Sequence, residues 1–273
     1  MAESNGRVVV VTGASSGIGK VCAEHLARAG YRVFGAQRRA VLSSSPDAIE
    51  MMPLDVTEDS SVDAAIKAIH QRAGRIDAVI NNAGNALMGA VEDTSIDEAR
   101  AQLDTNFFGV LRVCRAVLPI MRQQGGGYII NISSLAGVLG LPFSGLYSAS
   151  KFALEGMSES LRHETRRFGI KVVLVEPGDF DTDLPATRKT VAAATTHDVY
   201  KEAFARFKAQ QEKDEAAAST PEPVARLIEK ILQTPNPKAR YSVGMLGQRI
   251  VIPLKRYLPQ RLFEAALVRA LGL

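Results

Sequence analysis

Short apolar runs, too uniformly hydrophobic to carry a wet face, alternate with helical patterns along most of this chain. That alternation constrains the fold more than any other feature. Arg7 to Thr12 reads as a buried strand, Gly17 to Ala29 as a helix stopped by Gly30, and Tyr31 to Ala36 as a second strand. The rhythm continues with a strand at Met52 to Asp55, a helix at Glu58 to Ala73 and a strand at Ile76 to Asn81. One long helix over Ile96 to Arg122, a strand at Tyr128 to Ile132, a helix at Ser144 to Phe168 and a strand at Ile170 to Glu176 follow. Strands without a polar face belong in a parallel sheet covered by helices on both sides, so the sequence predicts a doubly wound α/β fold. A chain of 273 residues forms such a fold as a single domain.

The pattern loosens after Pro177. Residues Asp179 to Thr220 carry Ala, Thr, Lys and Glu tracts and read as a helical flap, with a disordered linker as the alternative for Lys213 to Thr220. Pro221 opens a short amphipathic helix to Leu232, and a strand at Arg240 to Val243 follows Pro237. The extension 237–273, rich in Leu, Ile, Val and Arg, completes the core, lines a substrate mouth or packs against another subunit; its sequence allows all three.

Composition narrows the function classes. The 33 basic and 29 acidic residues are spread without a long Lys/Arg run, which argues against nucleic-acid binding. Two cysteines, Cys22 and Cys114, sit in apolar helical patterns and read as buried free thiols, consistent with a reducing cytoplasm. Met1 to Arg7 lacks the apolar core of a signal peptide, and no stretch reaches the roughly 18 apolar residues of a membrane span. His25, His70, His163 and His197 show no metal-ligand spacing and read as structural or surface residues.

Chemistry concentrates at strand ends. Gly13, Ser15, Ser16, Gly17, Ile18 and Gly19 form a glycine-rich turn between the first strand and helix, with spacing G-x-x-x-G-x-G. Its glycines let backbone approach a pyrophosphate, and the helix N-terminus offers unpaired N–H groups; a purely structural turn is the alternative. The second strand ends in Gln37-Arg38-Arg39, with no acid to hold a ribose 2′-hydroxyl. A guanidinium at Arg38 favours a 2′-phosphate and therefore NADP(H) over NAD(H), while Arg39 is a candidate surface charge. Asp55 and Val56 end another strand, where they border an adenine or cap the next helix. Tyr147 and Lys151, four residues apart on one helical face, stand thirteen residues beyond Ser134. A phenol, an ammonium and a hydroxyl beside a dinucleotide suit hydride-transfer chemistry: the hydroxyl stabilises a developing oxyanion, the phenol transfers the proton, and the ammonium shifts the phenol's titration downward.

Together with Asn81-Asn82-Ala83-Gly84, Asn106, Tyr147-x-x-x-Lys151 and Pro177-Gly178 followed by Thr182, these motifs resemble the short-chain dehydrogenase/reductase family over about two-thirds of the chain. The resemblance implies a Rossmann-type fold in which Asn82, Ala83 and Gly84 border the cofactor. It implies also that Asn106 supports a proton relay and that Ile132, Pro177, Gly178 and Thr182 frame the nicotinamide. The family spacing to Tyr147 favours Ser134 over the adjoining Ser133. The stretch Val33 to Arg39 and the long extension look similar to the hydroxysteroid and retinol dehydrogenase-like branch. This implies a hydrophobic ketone, aldehyde or alcohol substrate and a homodimer or homotetramer. Leu139, Leu141, Pro142, Phe143, Leu146 and Leu184 supply apolar material for a pocket wall or for the core. The competing readings are a 3-oxoacyl-carrier reductase and an NADP(H)-binding regulatory protein without catalysis.

Overall fold

Four consecutive valines open strand β1 (Val8–Thr12) and set the architecture. Val8 and Val10 turn to one face, Val9 and Val11 to the other, and each is essentially buried, because helices cover both sides. The computed structural model describes residues 6–38, 49–182, 188–195 and 198–273, so the expectations for Arg39, Leu184 and His197 lie outside the described residues. After β1 come α1 (Gly17–Arg28), β2 (Arg32–Gln37), β3 (Glu50–Pro53), α2 (Asp59–Ala73), β4 (Ala78–Asn81) and the two-residue β5 (Leu87–Met88). Next are α3 (Ile96–Leu103), α4 (Gly109–Gln124), β6 (Gly127–Ile132), α5 (Gly145–Thr165), β7 (Ile170–Pro177) and β8 (Lys189–Thr190). Then α6 (Lys201–Ala216), α7 (Glu222–Gln233), β9 (Arg240–Val243), α8 (Leu246–Tyr257) and α9 (Gln260–Ala270) close the chain.

The main sheet runs β3-β2-β1-β4-β6-β7-β9, and every neighbouring pair is parallel. From β1 the chain builds outward through β2 and β3, then returns to lay β4 on β1's other side. The strand order therefore reverses between β1 and β4, the place where such folds open a ligand crevice. Cys22 and Leu26 of α1 and Val224, Ile228 and Ile231 of α7 cover one face. Val62, Ile66 and Ile69 of α2, Val113, Val117 and Met121 of α4, and Leu154 of α5 cover the other. Both cysteines are free and buried, and burial pushes each thiol up to about 12, which leaves them unreactive.

Three differences from the sequence reading carry information. The helix expected from Ile96 to Arg122 breaks into α3 and α4 around a π-helical turn, Asp104–Phe108, which buries Asn106. The stretch Lys213 to Ala216 is helical as the end of α6, so the linker alternative fails there. The extension divides in two: β9 joins the sheet edge and packs Tyr241 and Val243 against the core, whereas Phe263 is the one buried residue of α8 and α9.

Ile228 is fully buried between α7 and α1. Ile228→Ala should cost about 2–5 kcal/mol, read from the urea midpoint at unchanged m-value; a loss below about 1 kcal/mol would show that α7 is a loosely attached layer.

Candidate active site

At the C-terminal ends of β1, β4, β6 and β7 the helices part over a cleft of about 470 Å³. All the residues expected to touch a dinucleotide line it except Gly19. The glycine turn is held by a knot of hydrogen bonds between β1 and the loop after β4. Thr12 Oγ1 accepts from the backbone N–H of Asn82 and of Ala83, each at 3.0 Å. Asn82 Nδ2 donates back to the carbonyls of Thr12 (3.1 Å) and Gly13 (3.2 Å). This closeness dictates the glycines: a Cβ on Gly13, whose φ is +67°, would stand 2.9 Å from Ala83 Cα, and one on Gly19 would stand 2.2 Å from the Gly13 carbonyl. Gly19 thus shapes the turn from behind.

The turn fits an anionic ligand. Ser16 precedes α1 in extended conformation with no side-chain cap, and the first turn of α1 holds no acid. Its amide donors and positive dipole end therefore face the cleft without an internal counter-charge. Arg38 is exposed at the cleft's other end. The Asp55 carboxylate lines the cleft and accepts from the N–H and hydroxyl of Thr57 at 3.0 and 2.8 Å, closing the turn before α2 but not capping the helix, whose N-cap is Glu58. Val56 packs against Gly109.

At the inner end, β6 and α5 bring Ser134, Tyr147 and Lys151 together. Ser134 Oγ accepts from Ala136 N–H at 3.1 Å, and the Ser134 hydroxyl stands near the Tyr147 phenol, where it favours the phenolate. Ser133 turns the other way, its hydroxyl against Glu155, so the two adjoining serines separate by strand alternation. Lys151 Nζ donates to the Ile132 carbonyl at 2.8 Å and lies 5.8 Å from the Tyr147 ring centre. Burial lowers its pKa to about 8. The phenol departs from the sequence expectation: burial raises the Tyr147 pKa, outweighing the lowering by Ser134 and by Arg188. Asp179 in the cleft wall adds to the rise. Asn106 stands behind the cleft, held by Asn85. Its Oδ1 accepts from Asn85 N–H at 2.9 Å, while its Nδ2 donates to the Asn85 carbonyl at 3.0 Å and to Ser150 Oγ at 3.1 Å.

Several groups escaped the sequence reading. Asp179 lines the cleft directly after Pro177-Gly178, fixed by Gln248 of α8, whose Nε2 donates to its carboxylate at 2.6 Å and whose Oε1 accepts its N–H at 3.1 Å. Burial, with Glu215 and Asp214 nearby, raises its pKa. Arg188 and Glu215 form a largely buried ion pair in the same wall. An acid directly after the Pro-Gly pair was the available signal. Of the apolar residues proposed for the wall, Leu141 lines the cleft, Leu139 is core, and Phe143 stacks on Tyr200, Phe204 and Phe207 of the flap.

These features accompany a direct relationship. Residues 7–192 match the short chain dehydrogenase family model, and the chain belongs to the short-chain dehydrogenase/reductase family. It is 41% identical over 261 residues to a 3-ketodihydrosphingosine reductase of Bacteroides thetaiotaomicron, covering 96% of each chain. An uncharacterized oxidoreductase of Bacillus subtilis is 34% identical, with 98% of this chain and 99% of the relative covered. The crystal structure of a short-chain dehydrogenase from Streptomyces avermitilis superposes with a TM-score of 0.83 at 34% identity, covering 98% of this chain and 97% of that one. The protein is accordingly an oxidoreductase that uses a nicotinamide dinucleotide.

Behind α5, one guanidinium serves three carboxylates. Arg240 lies 2.6 Å from Glu155, 3.2 Å from Glu159 and 3.3 Å from Glu176. Burial, with the two neighbouring acids, raises Glu155 to about 7 despite Ser133 and Arg240. The folded chain therefore keeps a proton that the unfolded chain has released, so this stabilisation is complete below about pH 4.5 and lost as pH rises through about 7. The urea midpoint should fall across that interval, and Glu155→Gln should flatten the fall; an unaltered slope in the variant would assign the effect to other groups.

Proposed function

We propose that the chain interconverts a lipid-like ketone and its alcohol with NADP(H). The convergence of the Ser134 hydroxyl, the Tyr147 phenol and the Lys151 ammonium at one end of a dinucleotide-shaped cleft carries this reading. Gly13, Ser15, Ser16, Gly17 and Ile18 would hold the pyrophosphate, and Arg38 the 2′-phosphate. Asp55 and Val56 would border the adenine, Asn82 to Gly84 the adjoining ribose, and Pro177, Gly178 and Thr182 the nicotinamide. The bound nicotinamide supplies the hydride. Ser134 then donates to the carbonyl oxygen as negative charge develops there, and Tyr147 delivers the proton. Lys151, near pKa 8, carries a charge over much of the neutral range and stabilises the phenolate left behind. Asn106, bonded to both backbone groups of Asn85, fixes the loop over the cofactor and supports the path by which Tyr147 regains its proton.

The relative named for 3-ketodihydrosphingosine supports a lipid ketone over a steroid or retinoid within the hydrophobic class anticipated from the sequence. The cleft's substrate side combines apolar Met88 and Leu141 with ionic Asp179, Arg188 and Glu215, which suits a long-chain molecule with a polar end. Phe108 and Phe152, both exposed near α4 and on α5, support self-association through those helices.

The test pairs NADPH with NADH oxidation over free lipid ketones, steroid ketones and a carrier-linked 3-oxoacyl substrate. Arg38→Ala should weaken NADPH use alone by about 1.5–3 kcal/mol; equal weakening with both cofactors would remove the case for the 2′-phosphate. Tyr147→Phe should lower turnover by roughly 10²–10⁴ while cofactor still binds. Undiminished turnover would end the proton-transfer assignment.

A further inference from the structure

The formal charge of the whole chain, +4, is matched by residues 245–273 alone, where Arg249, Lys255, Arg256, Arg261 and Arg269 face a single acid, Glu264. None of these five cations lies in an ion pair with a described residue. Among the described residues, eight of the thirteen exposed large hydrophobics fall in the same segment. The two properties are sorted on α8. Leu246, Ile250, Leu254 and Tyr257 recur at helical spacing along one stripe and are 73%, 50%, 42% and 79% exposed. Arg249 and Arg256, seven residues apart, flank that stripe. Gln248 and Lys255, also seven apart, occupy the opposite side and grip the body: Gln248 binds Asp179, and Lys255 Nζ donates to the Val138 carbonyl. Leu258 and Leu262 continue the exposed apolar surface into α9, which Phe263 pins down.

We propose that α8 and α9 form a docking face for an anionic lipid surface, lying in the headgroup layer beside the substrate end of the cleft. A helix whose inner side is bound to protein and whose outer side is an apolar stripe flanked by arginines has the pattern of an interfacial helix. No helix among the described residues is long and apolar enough to cross a membrane, so the contact is peripheral. Charge selects this occupant over a second copy of the chain. A twofold contact through the face would press two cationic patches together with one acid each to offset them, whereas anionic headgroups complement the arginines that border it. Because Gln248 ties α8 to Asp179 in the cleft wall, a molecule leaving the lipid layer would meet the cleft with little exposure to water.

Co-sedimentation of the full chain with vesicles tests this directly, using phosphatidylcholine alone and phosphatidylcholine mixed with phosphatidylglycerol. Binding should appear with the mixed vesicles and weaken as salt rises. The triple variant Arg249→Ala/Arg256→Ala/Arg261→Ala should lose on the order of 100-fold in partition, and Leu246→Ser/Tyr257→Ser should also lose binding, while both keep the wild-type circular dichroism and turnover of a water-soluble ketone. Absence of binding to the mixed vesicles overturns the proposal. So does a dimer, seen by sedimentation velocity, that Leu246→Ser/Tyr257→Ser dissociates, since the face would then be a subunit interface.

Discussion

The reciprocal hydrogen bonds between Thr12 and Asn82 hold together the two halves of the sheet where its strand order reverses. One hydroxyl accepts two backbone N–H groups, and one amide returns two donors to backbone carbonyls. Each bond contributes about 1 kcal/mol net, but leaving any of these groups dry and unpartnered costs about 1–3 kcal/mol. The knot draws two backbones into contact, which is why glycine stands at 13 and 19. It also aims the N-terminus of α1 into the cleft. The anion-binding turn is thus a consequence of how β1 and β4 are joined.

A second polar structure runs beneath the cleft. Asn81 Nδ2 donates to Asn131 Oδ1 across neighbouring strands at 2.8 Å, and Asn131 Nδ2 donates to Ser158 Oγ of α5 at 2.8 Å. In a dry layer, such bonds fix the position of α5 along the sheet more sharply than apolar packing does, because a shift would orphan every amide at once. Tyr147 and Lys151 ride on that helix, and the lysine adds its own tie to the end of β6. The placement of the phenol therefore depends on residues about three turns further along α5 as well as on its neighbours in the cleft.

The sheet was legible because its strands carry unbroken apolar runs such as Val8 to Val11, and their helices carry clear periodicity and glycine stops at Gly74 and Gly125. The two-residue strands β5 and β8 were illegible, since two residues have no period. At the site, spacing along α5 placed Tyr147 beside Lys151, yet spacing holds no information on where an ammonium directs its hydrogens. The Lys151 ammonium donates to the Ile132 carbonyl, and burial raises the phenol's pKa, opposite to expectation. Asp179, Arg188 and Glu215 meet only in the folded chain. Glu215 and Arg188 are 27 residues apart, on opposite sides of a segment whose periodicity is weak. The Arg188–Glu215 pair therefore could not be read in advance, although Asp179 directly after Pro177-Gly178 offered a signal, and of the apolar wall residues expected, Leu141 alone among the described residues lines the cleft.

The π-helical turn at Asp104–Phe108 sets local regularity against placement. Deleting one residue there would let α3 and α4 fuse into an ordinary helix with better hydrogen bonds, the outcome that a search for greater stability would reward. The same deletion would remove the wide turn that seats Asn106, leaving both backbone groups of Asn85 without their partner. Designers regularising this chain would therefore meet a position where the better helix is the poorer protein.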